Sequence, residues 1–385
     1  MSVSLAEPSP LEITSAAPNI LEERRNDLAI KQQRVAEFLE DAGYAGLLLE
    51  GPECFAWFTG GGNNSHGGVG AGHAAVFVTA NERWLIATNT EWSRLVEEEV
   101  GGLGFQLRQR RWDEPTGPIY EELFAGRRIA SDTGTNGTTN ESSKLCHLRL
   151  VLTPLERQRY RELGRDVSHA IEATARSFEP GTTEAAVAGE LAHRLLKRCI
   201  VSVEIMIAAD DRGAQFCRPI FGEHPVRRRC LLMVTGRRWG LCASASRCVS
   251  FGPAPDSLRK RFDLACIVDA TSIFFSRPGE RFDGLFRRVK RIYEKFEHPH
   301  DWMLCDQGGV TGYRPVEILA LPESSFCLAA QMAVAWCPTI GSARSQDTVL
   351  IDHQGFEILT KVQQWPTNVV SVKGYNVERP SLLVR

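Results

Sequence analysis

Two stretches of this chain follow one design. Residues 173–198, ATARSFEPGTTEAAVAGELAHRLLKR, and residues 270–295, ATSIFFSRPGERFDGLFRRVKRIYEK, each read as the end of one helix, a Pro-Gly stop and a second helix, with Pro180 and Pro278 98 residues apart. A solenoid repeats every 20–50 residues or so. A period twice as long implies two related halves packed face to face. The segments VSVEIMIAA from Val201, CLLMVTGRRWGLCASASRCVSFG from Cys230, FCLAAQMAVAWCPTI from Phe326 and QDTVLIDHQGFEILTK from Gln346 read as strands of antiparallel type. Helices outside, strands inside and a pseudo-twofold between the halves make an α+β domain.

This domain opens with a helix whose start is well marked. Thr153 is placed to cap it and Pro154 occupies its first turn, where a missing N–H costs nothing. Upstream, residues 26–150 read as an α/β domain. Leu28, Val35, Phe38 and Leu39 fall near helical spacing and the helix stops at Gly43. An apolar strand, a Gly-Pro break and an aromatic stretch, AGLLLEGPECFAWFTGG, come next. HAAVFVTANERWLIATNTE then reads as two strands around the turn Ala80-Asn81-Glu82, with a helix, EWSRLVEEEV, after them. The polar, Gly-rich run SDTGTNGTTNESS at 131–143 is the expected interdomain linker. The Ser-, Pro- and Glu-rich residues 1–25 are an expected disordered tail.

Several function classes are disfavoured. A formal net charge of -2 gives no long-range attraction to nucleic acid, and Arg227-Arg228-Arg229 and Arg287-Arg288 read as solvated faces. The Gly-rich segment at 60–73 lacks the Lys-Ser/Thr of a phosphate loop and opens no helix. No apolar run approaches the roughly 20 residues that span a bilayer, and the N-terminus lacks the basic start and apolar core of a signal peptide. The eleven cysteines are odd in number, show no C-x-x-C spacing and sit mostly in apolar stretches. They read as buried free thiols of a reducing cytosol, so the expected location is cytoplasmic.

The chain resembles the creatinase, aminopeptidase P and methionine aminopeptidase superfamily, whose fold is called pita bread. CFAWFTGG resembles the Tyr-Leu-Thr-Gly segment of the creatinase N-terminal domain, and LTPLERQRYRELGRDVSHAIEA resembles the helix opening the catalytic domain. SRCVSFG is similar to a Thr-Arg-Thr stretch ending at Gly; QGGVTGY with Glu317 is similar to His-Gln-Gly-Gly-x-Thr-Gly-Tyr; AWCPTIGSARSQDTVLI is similar to Ala-Trp-Asn-Pro-x-Ile and Ser-Glu-Asp-Thr. The resemblance implies a creatinase-like N-terminal domain over 26–150, a pita-bread domain over 151–385 with pseudo-twofold helix pairs on a curved antiparallel sheet, and a homodimer.

Function is a separate matter, because sites are grafted onto folds. The family's metallopeptidases hold two divalent ions with two Asp, one His and two Glu, whose charge offsets the ions and leaves room for an activated bridging water. By resemblance the first Asp falls on Val234 or Thr235, the second on Ser244, the His on Asp306, and the two Glu on Cys337 and Gln346. One carboxylate and one thiol do not make a site for a pair of hard cations. The expectation is therefore no metal, no cofactor and no peptidase activity, with a peptide or small ligand bound in the old cleft.

Two alternatives stay open. One is metal-independent hydrolysis or lysis of a small C–N compound, as in creatinase, with Asp306, Glu317, His224 and Arg247 as candidate catalytic groups and His298 and His300 as further histidines. The other is a divergent metallo-aminopeptidase. Arg218, Gln307, Tyr313 and Trp336 are candidate cleft residues. Relatives of the fold also serve as histone-chaperone and nucleic-acid-associated domains; the neutral charge makes a direct nucleic-acid role less attractive here.

Overall fold

The structure, a computed structural model, describes residues 18–66 and 72–385. It opens with a long helix, Pro18–Ala42 (α1). Its first turns reach back to the domain they precede: Arg24 donates to the Thr59 carbonyl at 3.0 Å and Arg25 to that of Gly102 at 2.9 Å. The expected tail over 1–25 is thereby corrected for residues 18–25, and residues 1–17 lie outside the described residues.

Strand Gly46–Leu49 (β1) follows, then helix Pro52–Phe58 (α2) and strands Ala74–Val78 (β2) and Arg83–Thr88 (β3). The aromatic stretch is thus helical. Pro52 starts it, and Cys54 to Phe58 are all buried, so no polar face announces the helix in sequence. A short helix Trp92–Arg94 (α3) running into a π-helical turn, strand Gln106–Arg110 (β4), helix Gly117–Phe124 (α4) and strands Ile129–Ser131 (β5) and Thr139–Asn140 (β6) complete a six-stranded sheet ordered β4-β3-β2-β1-β5-β6. Residues 131–143, the expected linker, contain β6, which pairs parallel with β5 at the sheet's edge.

Helix Ser142–Leu150 (α5) leads to helix Pro154–Ser177 (α6), capped as the sequence indicates. Thr153 accepts from the Glu156 N–H, and the Glu156 side chain accepts from the Thr153 N–H, satisfying two donors at once. Then come helix Glu184–Leu196 (α7), strand Val201–Ala209 (β7), a short turn of helix Arg212–Gln215 (α8), and strands Arg229–Arg238 (β8) and Leu241–Ser250 (β9). The tight β8–β9 hairpin puts Trp239 and Gly240 at φ of 55° and 79°, the left-handed pair that a two-residue hairpin turn needs. The second half repeats the plan with helices Asp256–Phe275 (α9) and Phe282–Lys295 (α10), then strands Gly308–Thr311 (β10), Ile318–Leu319 (β11), Ala333–Trp336 (β12), Thr339–Ile340 (β13), Ala343–Arg344 (β14), Asp347–Ile351 (β15) and Phe356–Ile358 (β16). A C-terminal hairpin, Thr367–Val372 (β17) and Tyr375–Pro380 (β18), and strand Leu383–Val384 (β19) end the chain.

The halves match in detail. Gly181 and Gly279, 98 residues apart, both take positive φ, 95° and 87°. Their N–H groups donate to the carbonyls of Val226 and Leu328. Two positions on, Thr183 and Arg281 each form an isolated antiparallel bridge, to Pro225 and Cys327, just before their helices begin. The repeated Pro-Gly is therefore a repeated structural device. It turns the chain between paired helices and pins the turn to an outlying segment.

The central sheet runs β11-β10-β12-β15-β9-β8-β7, antiparallel between neighbours. Helices α6 and α7 pack on β7, β8 and β9, whereas α9 packs on β12 and the smaller hairpins. The halves meet where β9 and β15 pair at a single position, Ala245 opposite Asp347. This is the α+β pita-bread arrangement that the resemblance implies. Among the described residues no helix is long and apolar enough to cross a membrane.

Candidate functional site

Strand alternation decides which side chains face inward at the seam between the halves. On β8 and β9, Thr235 lies opposite Ser244 and Val234 opposite Ala245. Successive side chains point to opposite faces. Val234 joins the apolar core it shares with Val167 and Ile171 of α6, whereas the Thr235 hydroxyl meets the Ser244 hydroxyl at 2.8 Å. Of the two residues that sequence matching leaves open for the first Asp position, Thr235 is the one whose side chain meets Ser244.

Thr235 and Ser244 line one small cavity together with Val234, Asp306, Cys337 and Gln346, so all the positions that the resemblance matches to metal ligands border it. Glu204, Met206, Arg218, Met233, Cys305 and Arg344 complete most of its wall. The cavity measures about 60 Å³. That is room for several waters.

The charged groups in the wall are two carboxylates and two guanidiniums. Asp306 is engaged by Arg218 at 2.5 Å, and Arg218 also lies 3.9 Å from Glu204. Glu204 accepts a hydrogen bond from Thr235 at 3.3 Å, which continues the hydroxyl chain to Ser244. Arg344 is only 2% exposed. It donates to the Cys217 carbonyl and approaches two soft acceptors, Met233 Sδ at 3.4 Å and Cys305 Sγ at 3.7 Å. Its Nε has no acceptor, and among the described residues no carboxylate lies within ion-pairing distance of it. Burial pushes the Cys337 thiol up to about 11, although Arg344 pulls the other way, so it stays a thiol near neutral pH.

This donor set does not fit two divalent ions. Hard cations want several anionic oxygens, and the five positions offer one carboxylate, already held by Arg218. Among the described residues no three His, Cys, Asp or Glu side chains are arranged to hold a metal. A buried guanidinium in the same wall adds repulsion.

The remaining candidates are dispersed. Glu317 is buried against Arg149 of α5, with Nη2 to Oε2 at 2.6 Å and Nε to Oε1 at 2.8 Å. Arg247 points toward α6 and joins Glu172 at 3.2 Å and Asp347 at 3.1 Å in a buried ionic network. His224 is exposed, and its carbonyl accepts from the Glu184 N–H at the start of α7. His298 pairs with Asp301 at 3.2 Å, and His300 lies exposed on the same turn. Among the cleft candidates Arg218 is in the wall. Gln307 accepts from the Tyr293 hydroxyl, the Tyr313 hydroxyl bonds Glu156 at 2.5 Å, and the Trp336 indole bonds Ser276 at 2.8 Å, all away from the cavity.

Sequence reading missed Arg344, Glu204 and a crosslink. Arg344 sits two residues before Gln346, the spacing that puts side chains on one strand face, and Glu204 is the lone charge in an apolar strand. Cys217 and Cys305 form a disulfide, which corrects the expectation that every cysteine is a free thiol. The pairing spans 88 residues and brings together two loops that no spacing rule connects. Covalent and ionic links thus run side by side, because Arg218 and Asp306 are the next residues on each loop.

No protein-family model matches this chain, and no curated protein matches it by sequence. Solved structures do. Xaa-Pro dipeptidase from Bacillus anthracis superposes with a TM-score of 0.74 at 16% identity, covering 93% of this chain and 100% of its own. Dipeptidase PepE from Mycobacterium ulcerans gives 0.75 at 15% identity, covering 94% of this chain and 98% of its own. The N-terminal domain of FACT complex subunit SPT16 from chickpea gives 0.71 at 10% identity, covering 88% of this chain and 97% of its own. The similarity is one of fold and extends over nearly the whole chain.

Proposed function

We propose that this chain is a peptidase-like pita-bread protein that works as a binding module, taking a small ligand or the end of a peptide at the seam cavity without divalent metal and without peptide hydrolysis. The observation that carries the reading is the cavity wall. Thr235, Ser244, Asp306, Cys337 and Gln346, which sequence resemblance matches to an enzyme's acidic and imidazole ligands, share that wall, and Arg344 lies buried among them. Among the described residues no histidine lines the cavity, and the Cys337 thiol stays protonated near neutral pH. The test is metal content by elemental analysis after incubation with manganese and desalting, together with an Xaa-Pro peptide cleavage assay. Less than one equivalent of metal and no cleavage are expected. Two equivalents of retained manganese with turnover would overturn the reading.

One observation favours metal-independent chemistry as a second reading. The Glu204–Thr235–Ser244 chain places a carboxylate beside two hydroxyls, the minimum for base-assisted proton transfer. Turnover of a small amide or guanidino compound that survives chelator and is lost in Glu204→Gln would support it over simple binding.

A further inference from the structure

Arg344 is a buried guanidinium with no carboxylate beside it among the described residues. A guanidinium has five N–H donors and no means of giving up its proton, and taking it out of water is costly unless an anion sits beside it. At 2% exposure Arg344 reaches one carbonyl and two sulfur atoms, its Nε reaches nothing, and it borders a cavity. The two carboxylates in the same wall are otherwise engaged: Asp306 by Arg218, Glu204 by Arg218 and the Thr235 hydroxyl. The same wall carries a neutral donor suited to completing an anion's hydrogen bonds, the Gln346 amide.

Resting on the binding-module reading, we infer that the cavity is a site for a compact oxyanion, a carboxylate or phosphate group, whose charge is met by Arg344. The size agrees. A cavity of about 60 Å³ accepts a compact head group. Arginine's planar fork suits both anions, because two parallel N–H groups match two oxygens.

The experiment is thermal melting of the full-length chain at constant ionic strength in chloride, with sodium acetate or sodium phosphate added in steps. A ligand that binds only the folded state raises Tm with concentration. A saturating rise of several degrees is expected with at least one of the two anions, and which one identifies the head group. Arg344→Gln should abolish the rise, whereas Arg287→Gln, which removes an exposed arginine on α10, should keep it. If Arg344→Gln does not fold, Gln346→Glu takes its place: it adds a carboxylate to the same wall, so it should melt higher than the parent and no longer respond. No rise with either anion in the parent overturns the inference, as does a rise that persists in Arg344→Gln or Gln346→Glu. Metal content measured on the same samples separates the two conclusions. Manganese uptake would remove the binding-module reading, whereas a metal-free protein indifferent to both anions would remove only the anion site.

Discussion

Glu317 is the candidate acid that most needs separating from function, because it sits in the segment resembling the family's catalytic stretch yet lies outside the cavity. Its side chain is 1% exposed and that of Arg149 is 2% exposed. Besides the two bonds to Arg149 it accepts the Tyr313 N–H at 3.0 Å and lies 3.5 Å from the Cys146 thiol. It therefore ties α5 to the loop between β10 and β11. Glu317→Gln keeps the shape but leaves Arg149 charged and unpaired. Breaking a buried pair from one side costs about 3–5 kcal/mol. With an unfolding entropy of about 2.1 cal/mol/K per residue, that is a Tm fall of about 4–6 °C for a chain of this length. Calorimetry or far-UV circular dichroism melts measure it. The double variant Arg149→Met/Glu317→Leu should recover most of the loss, since an apolar pair of similar volume replaces a buried ion pair at little cost. If Glu317→Gln melts within a degree of the parent but loses its response to anions, Glu317 belongs to the site and the structural reasoning is wrong.

Two further outcomes follow from buried groups. Burial pushes Asp269 up to about 6, although Arg379 at 2.6 Å and the Ser345 hydroxyl pull it down. Since this exceeds the unfolded value of about 3.9, the folded state binds the extra proton, and stability contributed at low pH is lost as pH rises through about 6. Asp269→Asn, which mimics the protonated acid, should accordingly gain on the parent between about pH 4 and pH 7 by up to roughly 3 kcal/mol; a difference independent of pH would refute this. Reducing the Cys217–Cys305 disulfide, which spans 88 residues, should cost up to about 4–5 kcal/mol by loop-closure entropy. Melts with and without reductant, and of Cys217→Ser, check this. Unchanged melting would show that the crosslink constrains nothing.

How much of the fold could be read from sequence depended on how local each signal was. The capped start of α6 and the paired Pro-Gly stops were legible because a cap or a glycine at positive φ leaves its mark within a few residues. The α2 helix was not, because Cys54 to Phe58 are buried on every side and show no period. Residues 18–25 read as tail because their charged side chains look solvated, yet Arg24 and Arg25 are anchored to backbone carbonyls 35 and 77 residues away. The disulfide was hidden for the same reason, since sequence distance carries no information about which loops meet.

The site was legible as a set of places and illegible as a balance of charge. Resemblance marked Thr235, Ser244, Asp306, Cys337 and Gln346, and the structure brings all five to one wall. Comparing those five residues with the ligands that the resemblance implies shows only that they carry little negative charge. Whether the cavity is then neutral, negative or positive depends on residues that resemblance does not mark. Arg218 neutralises Asp306, so the one surviving carboxylate among the five is unavailable. Arg344 brings a positive charge to the same wall, and its burial keeps water from screening it. A carboxylate added alone at Gln346 would therefore meet Arg344 before it met any metal. Building a dinuclear centre here would require several acidic residues introduced together, enough to outweigh that guanidinium, whereas the proposed single anion would need no change to the wall.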